Sequence, residues 1–170
     1  MARWPWFERP FRFDYPASKF PELLERWRGT PARLEERLAG VGDEAAARSD
    51  GRGWSIKQNV GHLIDLDYLP VRRLGEILAG EATLVAADLT NRRTNEGDHN
   101  ARPLADLLAD FRRGRMAGAA KFEAVPESDW GRAALHPRLK QPMRIVDILH
   151  FDSEHDDYHL GRIAELLRTL

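Results

Sequence analysis

Between Ile145 and Leu166 the residues Ile145, Ile148, Asp152, His155, His159, Ile163 and Leu166 recur every three or four positions. That spacing places all seven on one face of a helix. The face is apolar at both ends and polar at its three middle positions. A helix of this kind must lie against other helices, and it must also find partners for a carboxylate and two imidazoles in the protein interior. Burying such groups without partners is costly.

The rest of the chain reads in the same period. A first helical pattern runs from about Phe20 to Leu38, with Phe20, Leu23, Leu24, Trp27, Leu34 and Leu38 as its buried stripe. Pro21 occupies a first-turn position, where its missing N–H costs nothing. Thr30-Pro31 interrupts this pattern without shifting its phase, which predicts one kinked helix. A second begins after Ser55, a good N-cap, and continues to about Gly80 with Ile56, Val60, Leu63, Asp67, Val71, Leu74 and Leu78 in phase. The third opens at Pro103 and carries Leu104, Leu107, Leu108, Phe111, Arg115, Gly118 and Phe122. The fourth spans about Met143 to Leu170. Residues 81–102 form a long irregular connection, and a loop with room for a short strand precedes Pro142. No strand alternation or internal repeat competes. An all-α four-helix bundle with a long connection between helices 2 and 3 is expected, as one domain over residues 1–170 with an aromatic extension at 1–18.

Composition narrows the function. The 26 basic and 27 acidic residues leave a formal charge of −1, which offers no electrostatic footprint for nucleic acid. No stretch approaches the roughly 18 apolar residues of a membrane span, and the amino terminus lacks the apolar region of a secretory signal. A cytoplasmic protein is expected. With no cysteine in the chain, a bound metal must be held by imidazole, carboxylate, carbonyl or water, and any thiol nucleophile must come from outside.

His155 and His159 are one turn apart and rotated by about 40°, so both rings can converge on one ion. A third ligand must come from elsewhere: His62, His99, His136, His150 or a carboxylate. His62 is the best placed, early in the second helix in phase with Leu66 and Leu69. His150 is half a turn away from His159, while His99 and His136 lie in loops. A single histidine on an apolar face is ordinarily a hydrogen-bonded core residue; the three together, with Asp152 one turn upstream, favour metal. Arg115 reads first as an internal ion pair with Asp67 or Asp152, and second as an anion-binding pocket residue. Gln58, one turn before His62, is a candidate to hydrogen-bond a ligand. Trp27 and Trp130 read as packing residues, Trp54 as packing or a pocket wall. Asp156 and Asp157 are expected to face solvent.

WSIKQNVGHL on the second helix together with EHDDYHLGRI on the fourth resembles the DinB-like (YfiT-type) four-helix-bundle family, which is unrelated to the polymerase that shares its name. LLERWRGTPARLEERLAG, RRGRMAGAAKFEAVPESDW and HPRLKQPMRIVDILHFDSEHD extend the resemblance over nearly the whole chain. The resemblance implies that His62, His155 and His159 ligate one divalent ion, zinc or nickel first and iron or cobalt next. It also implies homodimers and, in characterised relatives, thiol-dependent transferases and isomerases acting with bacillithiol, mycothiol or glutathione. It supplies no fixed catalytic acid or base, so the catalytic residues stay open. The activity expected is transfer of a small thiol onto an electrophile, with Gln58, Arg115 and Asp152 as candidate pocket residues. The alternatives are metal-dependent hydrolysis with Asp152 as base, or a non-catalytic metal-stabilised ligand-binding or stress-response protein.

Overall fold

A computed structural model describes residues 3–169. Four helical rods form the bundle, two of them broken. The first rod is α1 (Phe20–Arg28) followed by α2 (Thr30–Leu38). The interruption is Gly29, whose N–H still donates to Glu25 O and whose carbonyl still accepts from Arg33 N. Pro31 cannot donate, so the ladder lapses for one step and resumes in phase. After the short helix α3 (Asp43–Ala47), the second rod comprises α4 (Ile56–Leu66) and α5 (Tyr68–Ala79). The single helix expected there is divided at Asp67, three residues before Pro70, whose missing N–H leaves the carbonyl of Leu66 without its usual partner.

Local chemistry sets the ends. Ser55 Oγ accepts from Gln58 N at 3.1 Å, and Gln58 Oε1 accepts from Ser55 N at 3.0 Å, a complete capping box at the start of α4. Gly80 closes α5 with a left-handed φ of 82°, a conformation that glycine adopts without strain. The connection to the third rod holds the short helix α6 (Arg92–Glu96) and a 3-10 turn at His99–Ala101. The third rod is α7 (Leu104–Glu123). A small antiparallel hairpin, β1 (Ala133–Leu135) with β2 (Pro142–Arg144), pairs Ala134 with Met143 and leads directly into α8 (Ile145–Leu167). Met143 therefore belongs to a strand, and the last helix begins two residues later than its pattern suggests. Leu170 lies outside the described residues.

The apolar interior has two clusters. One gathers Phe20, Trp27, Leu74, Phe122, Met143 and Ile148; the other gathers Leu34, Ile56, Val60, Leu107, Phe111 and Ile163. Polar groups occupy the waist of the bundle. Arg115 is the central one, with Nε 2.7 Å from Asp67 Oδ1, Nη1 2.6 Å from Asp156 Oδ2, and Nη1 also donating to Trp27 O. Thr30 Oγ1 donates to the same Asp156 oxygen. Of the two carboxylates expected for Arg115, Asp67 is present, while Asp156 takes the place of Asp152. Asp156, expected in solvent, is only 2% exposed. Asp157 is half-buried and pairs with Arg26 and Arg33.

The aromatic extension wraps the bundle. Trp6 packs edge-on against Phe11, Phe151 and His155, with ring centroids about 5 Å apart. Met1 and Ala2 lie outside the described residues. Among those described, no helix is long and apolar enough to cross a membrane.

Candidate metal centre

Helix α4 presents His62 and helix α8 presents His155 and His159 to one cavity of about 650 Å³. Each ring offers a nitrogen, and the three nitrogens lie within 4.8 Å of one another. His62 Nε2 is 3.4 Å from His155 Nε2. Two nitrogens bound at 2.0–2.1 Å in a tetrahedral shell stand about 3.3–3.4 Å apart, so this pair already has the separation a shared ion needs. The ring centroids of His159 lie 4.7 Å from His62 and 4.6 Å from His155.

Hydrogen bonds behind the rings decide which nitrogens face the cavity. His159 Nδ1 is 2.9 Å from Asn59 Oδ1. The Asn59 amide donates to Ser55 O and Trp54 O, which leaves its oxygen to accept. His159 must then carry its proton on Nδ1 and present a bare Nε2. His62 Nδ1 is 3.0 Å from Thr94 Oγ1, and that hydroxyl donates to Asp65 Oδ2 at 2.9 Å. The Thr94 oxygen can only accept from His62, so this ring also has a bare Nε2. His99 Nε2 donates to the same Asp65 oxygen at 2.9 Å. Carboxylate or amide support behind a ligating imidazole is the arrangement that fixes metal-binding tautomers.

Burial keeps the three rings neutral. It pulls His62 down to about 3, with the nearby His155 adding repulsion, and pulls His155 down to about 4. His159 falls well below its ordinary range for the same reason, followed by the charge its two neighbours would carry. Neutral imidazole is the metal-ligating form. The donor set therefore fits a divalent ion of borderline character in number, protonation and spacing.

Asp152 lines the same cavity, one turn before His155. Its Oδ2 is buried without a hydrogen-bond partner, and burial foremost pushes its carboxyl up to about 7. Two other candidates are placed elsewhere. Gln58 is occupied by the capping box and does not line the cavity. Arg115 is locked in the buried ion cluster and does not line it either. Trp54 does form a wall, its ring 4.6 Å from that of His62.

Sequence reasoning passed over Asn59, Asp65 and Thr94. The first two lie three residues to either side of His62, so helical spacing places them near its face; Thr94 sits in the long connection, and only the folded chain brings it close. His150 is turned away, as its phase requires, with its ring 5.0 Å from that of Tyr15. His99 is buried against Gly61, and His136 reaches the cavity wall.

Comparison with known proteins agrees with this architecture. An inferred metal-dependent hydrolase of Bacillus licheniformis is 26% identical over 163 residues, covering 89% of each chain. The structure of YfiT from Bacillus subtilis, also inferred to be a metal-dependent hydrolase and noted for an unusual four-helix bundle topology, superposes with a TM-score of 0.79. It is 21% identical and covers 95% of this chain and 93% of its own. A mycothiol-dependent maleylpyruvate isomerase matches with a TM-score of 0.66 and 15% identity, over 86% of this chain and 60% of its own. The family model of the DinB superfamily matches residues 20–163, a span that contains the first three rods, most of the fourth and the three histidines, and the chain belongs to that superfamily.

Proposed function

We propose that this chain is a divalent-metal enzyme whose ion is held by His62, His155 and His159 and whose reaction is transfer of a small thiol onto an electrophile. The observation that carries the reading is the convergence of three neutral imidazoles, two with fixed tautomers, on one side of a large cavity. Three protein ligands leave a position for a reactant, as in catalytic rather than structural sites. When bound, the ion supplies Lewis acidity that makes a thiol or a water at that position more acidic. Zinc or nickel suits the all-nitrogen donor set.

The chain's own groups carry the remaining roles. Asn59 and the Thr94–Asp65 pair hold the His159 and His62 rings in orientation. Asp152, on the cavity wall and titrating near neutrality, accepts the proton that the nucleophile loses. The thiol sulfur then bonds to the electrophilic carbon, and the leaving group departs with the displaced electron pair. Because the chain has no cysteine, the sulfur arrives on a cosubstrate, and the cavity has room for two small organic molecules. The mycothiol dependence in the name of one structural neighbour supports this choice.

Hydrolysis is the second reading. It draws on Asp152 as a general base for water and on the descriptions of the Bacillus relatives. One experiment separates the two: metal-loaded protein is given a chromogenic haloarene with glutathione, bacillithiol or mycothiol, and in parallel a panel of esters and amides without thiol. The proposal expects thiol-dependent conjugation that a chelator abolishes. Ester or amide cleavage without thiol, equally sensitive to chelator, would transfer the assignment to hydrolysis.

A further inference from the structure

Three residues on the wall of the cavity near the hairpin each carry a buried donor without a partner. Arg73, on α5, is 2% exposed; its Nε and Nη2 donate to Val85 O at 3.4 and 3.2 Å, and its Nη1 is buried without a partner. His136, in the turn between β1 and β2, accepts at Nδ1 from Arg138 N and Leu139 N at 3.2 and 3.1 Å. Its proton therefore sits on Nε2, and that N–H is buried and unpartnered as well. Arg138 has its guanidinium carbon 5.4 Å from the Phe7 ring centroid and 5.8 Å from that of Phe151, with Nη2 buried and unpartnered. All three side chains line the cavity that holds the histidines.

Unsatisfied buried donors are rare and each is costly. Three on one wall, two of them charged, form a concentrated positive site. The groups repel one another: after burial, the charges of Arg73 and Arg138 are what depress His136, to about 3. Burial also lowers Arg138. Asp152 and Glu76 partly offset Arg73, yet neither hydrogen-bonds to any of the three: Glu76 accepts from Arg72 and Val85 N, and Asp152 Oδ2 is free. The chain thus supplies donors and positive charge here without the acceptors to match.

We propose that Arg73, His136 and Arg138 form a carboxylate-binding subsite beside the three-histidine centre, which selects small organic substrates bearing a carboxylate. Guanidinium groups match the planar pair of oxygens of that group. Leu66, Leu69 and Phe151 on the same cavity wall offer apolar surface for the body of such a molecule, whereas inorganic phosphate needs polar contacts on every side. Assigning the carboxylate to a substrate rests on the metal-enzyme reading above; its binding does not.

Calorimetric titration of the full-length purified protein tests this, with phenylacetate, phenylacetamide and inorganic phosphate as probes and metal content measured on every sample. Phenylacetate is expected to bind and its neutral amide to bind at least tenfold more weakly. Arg138→Gln, at a half-buried position, is expected to weaken phenylacetate at least tenfold at unchanged metal content, and Arg138→Lys to recover part of the loss. Arg73→Lys, checked for folding by circular dichroism, is expected to weaken phenylacetate in the same direction. Failure of phenylacetate to bind, or an affinity indifferent to Arg138→Gln, overturns the subsite; in the second case the carboxylate sits on the metal or elsewhere. Phosphate binding more tightly than phenylacetate overturns the substrate class. Arg138-dependent binding in samples that hold no metal upholds the subsite while the metal-enzyme reading fails.

Discussion

Two of the three clustered histidines, His62 and His159, have the far ring nitrogen anchored by neighbours behind the ring. Thr94 is the most informative of these, because its hydroxyl both accepts from His62 and donates to Asp65. Thr94→Val keeps the shape and removes both bonds. Losing such a partner ordinarily lowers metal affinity by about 10–100-fold, measurable by competition with a chromogenic chelator while the circular dichroism spectrum stays unchanged. Asp152 has a different signature. In the proposed role of base, a carboxyl titrating near 7 is active above that pH and protonated below it, so the rate is expected to rise through neutrality. Asp152→Asn should remove that rise and lower the rate by about 10²–10⁴-fold, read from a pH–rate profile at constant metal content. The three ring positions are legible from helical phase, since i, i+4 spacing and apolar neighbours say which way a side chain points. Gln58 misleads because its capping role with Ser55 competes for the same amide, while Arg115 follows its first reading as an internal ion pair, held by Asp67 and Asp156 and so kept from the pocket.

At the level of elements, the long connection between the second and third rods is a working part of the site. It delivers Thr94 and His99, and the close approach of its 3-10 turn to α4 requires Gly61. A Cβ there would stand 2.2 Å from His99 Cγ. Gly61→Ala is therefore expected to push His99 from Asp65 and to destabilise the fold by about 1–3 kcal/mol. Gly75→Ala, where a Cβ meets nothing within 4 Å, should stabilise by about 0.5–1 kcal/mol through helix propensity. Urea denaturation of both variants measures the contrast, and equal effects would mean the turn does not pack as described. The four rods are readable from periodicity because their stripes run unbroken through α7 and α8. The break at Asp67 is not, since Pro70 leaves the phase intact and only interrupts the ladder. The course of residues 81–102 is not readable either: its contacts join residues some thirty positions apart, and no local pattern encodes them.

For the whole molecule, two apolar clusters clamp a polar waist, and the neutral state of its histidines ties stability to pH. His62 and His155 titrate at about 3 and 4 when folded, against 6.5 in an unfolded chain. Between those values the unfolded chain holds more protons, so stability is full above about 6.5 and is lost as pH falls toward the folded values. Each is expected to cost the metal-free protein about 2 kcal/mol at pH 5 relative to pH 8, visible as an earlier urea midpoint. A bound divalent ion adds to this loss, because acid displaces it from the imidazoles. The most direct test of the centre is elemental analysis of the wild-type protein purified beside His62→Ala, His155→Ala and His159→Ala, with folding confirmed for each. One equivalent of divalent metal in the wild type and a large loss in every variant is the expected result. A wild type that holds no metal after loading, or folded variants that hold as much as the wild type, would contradict it.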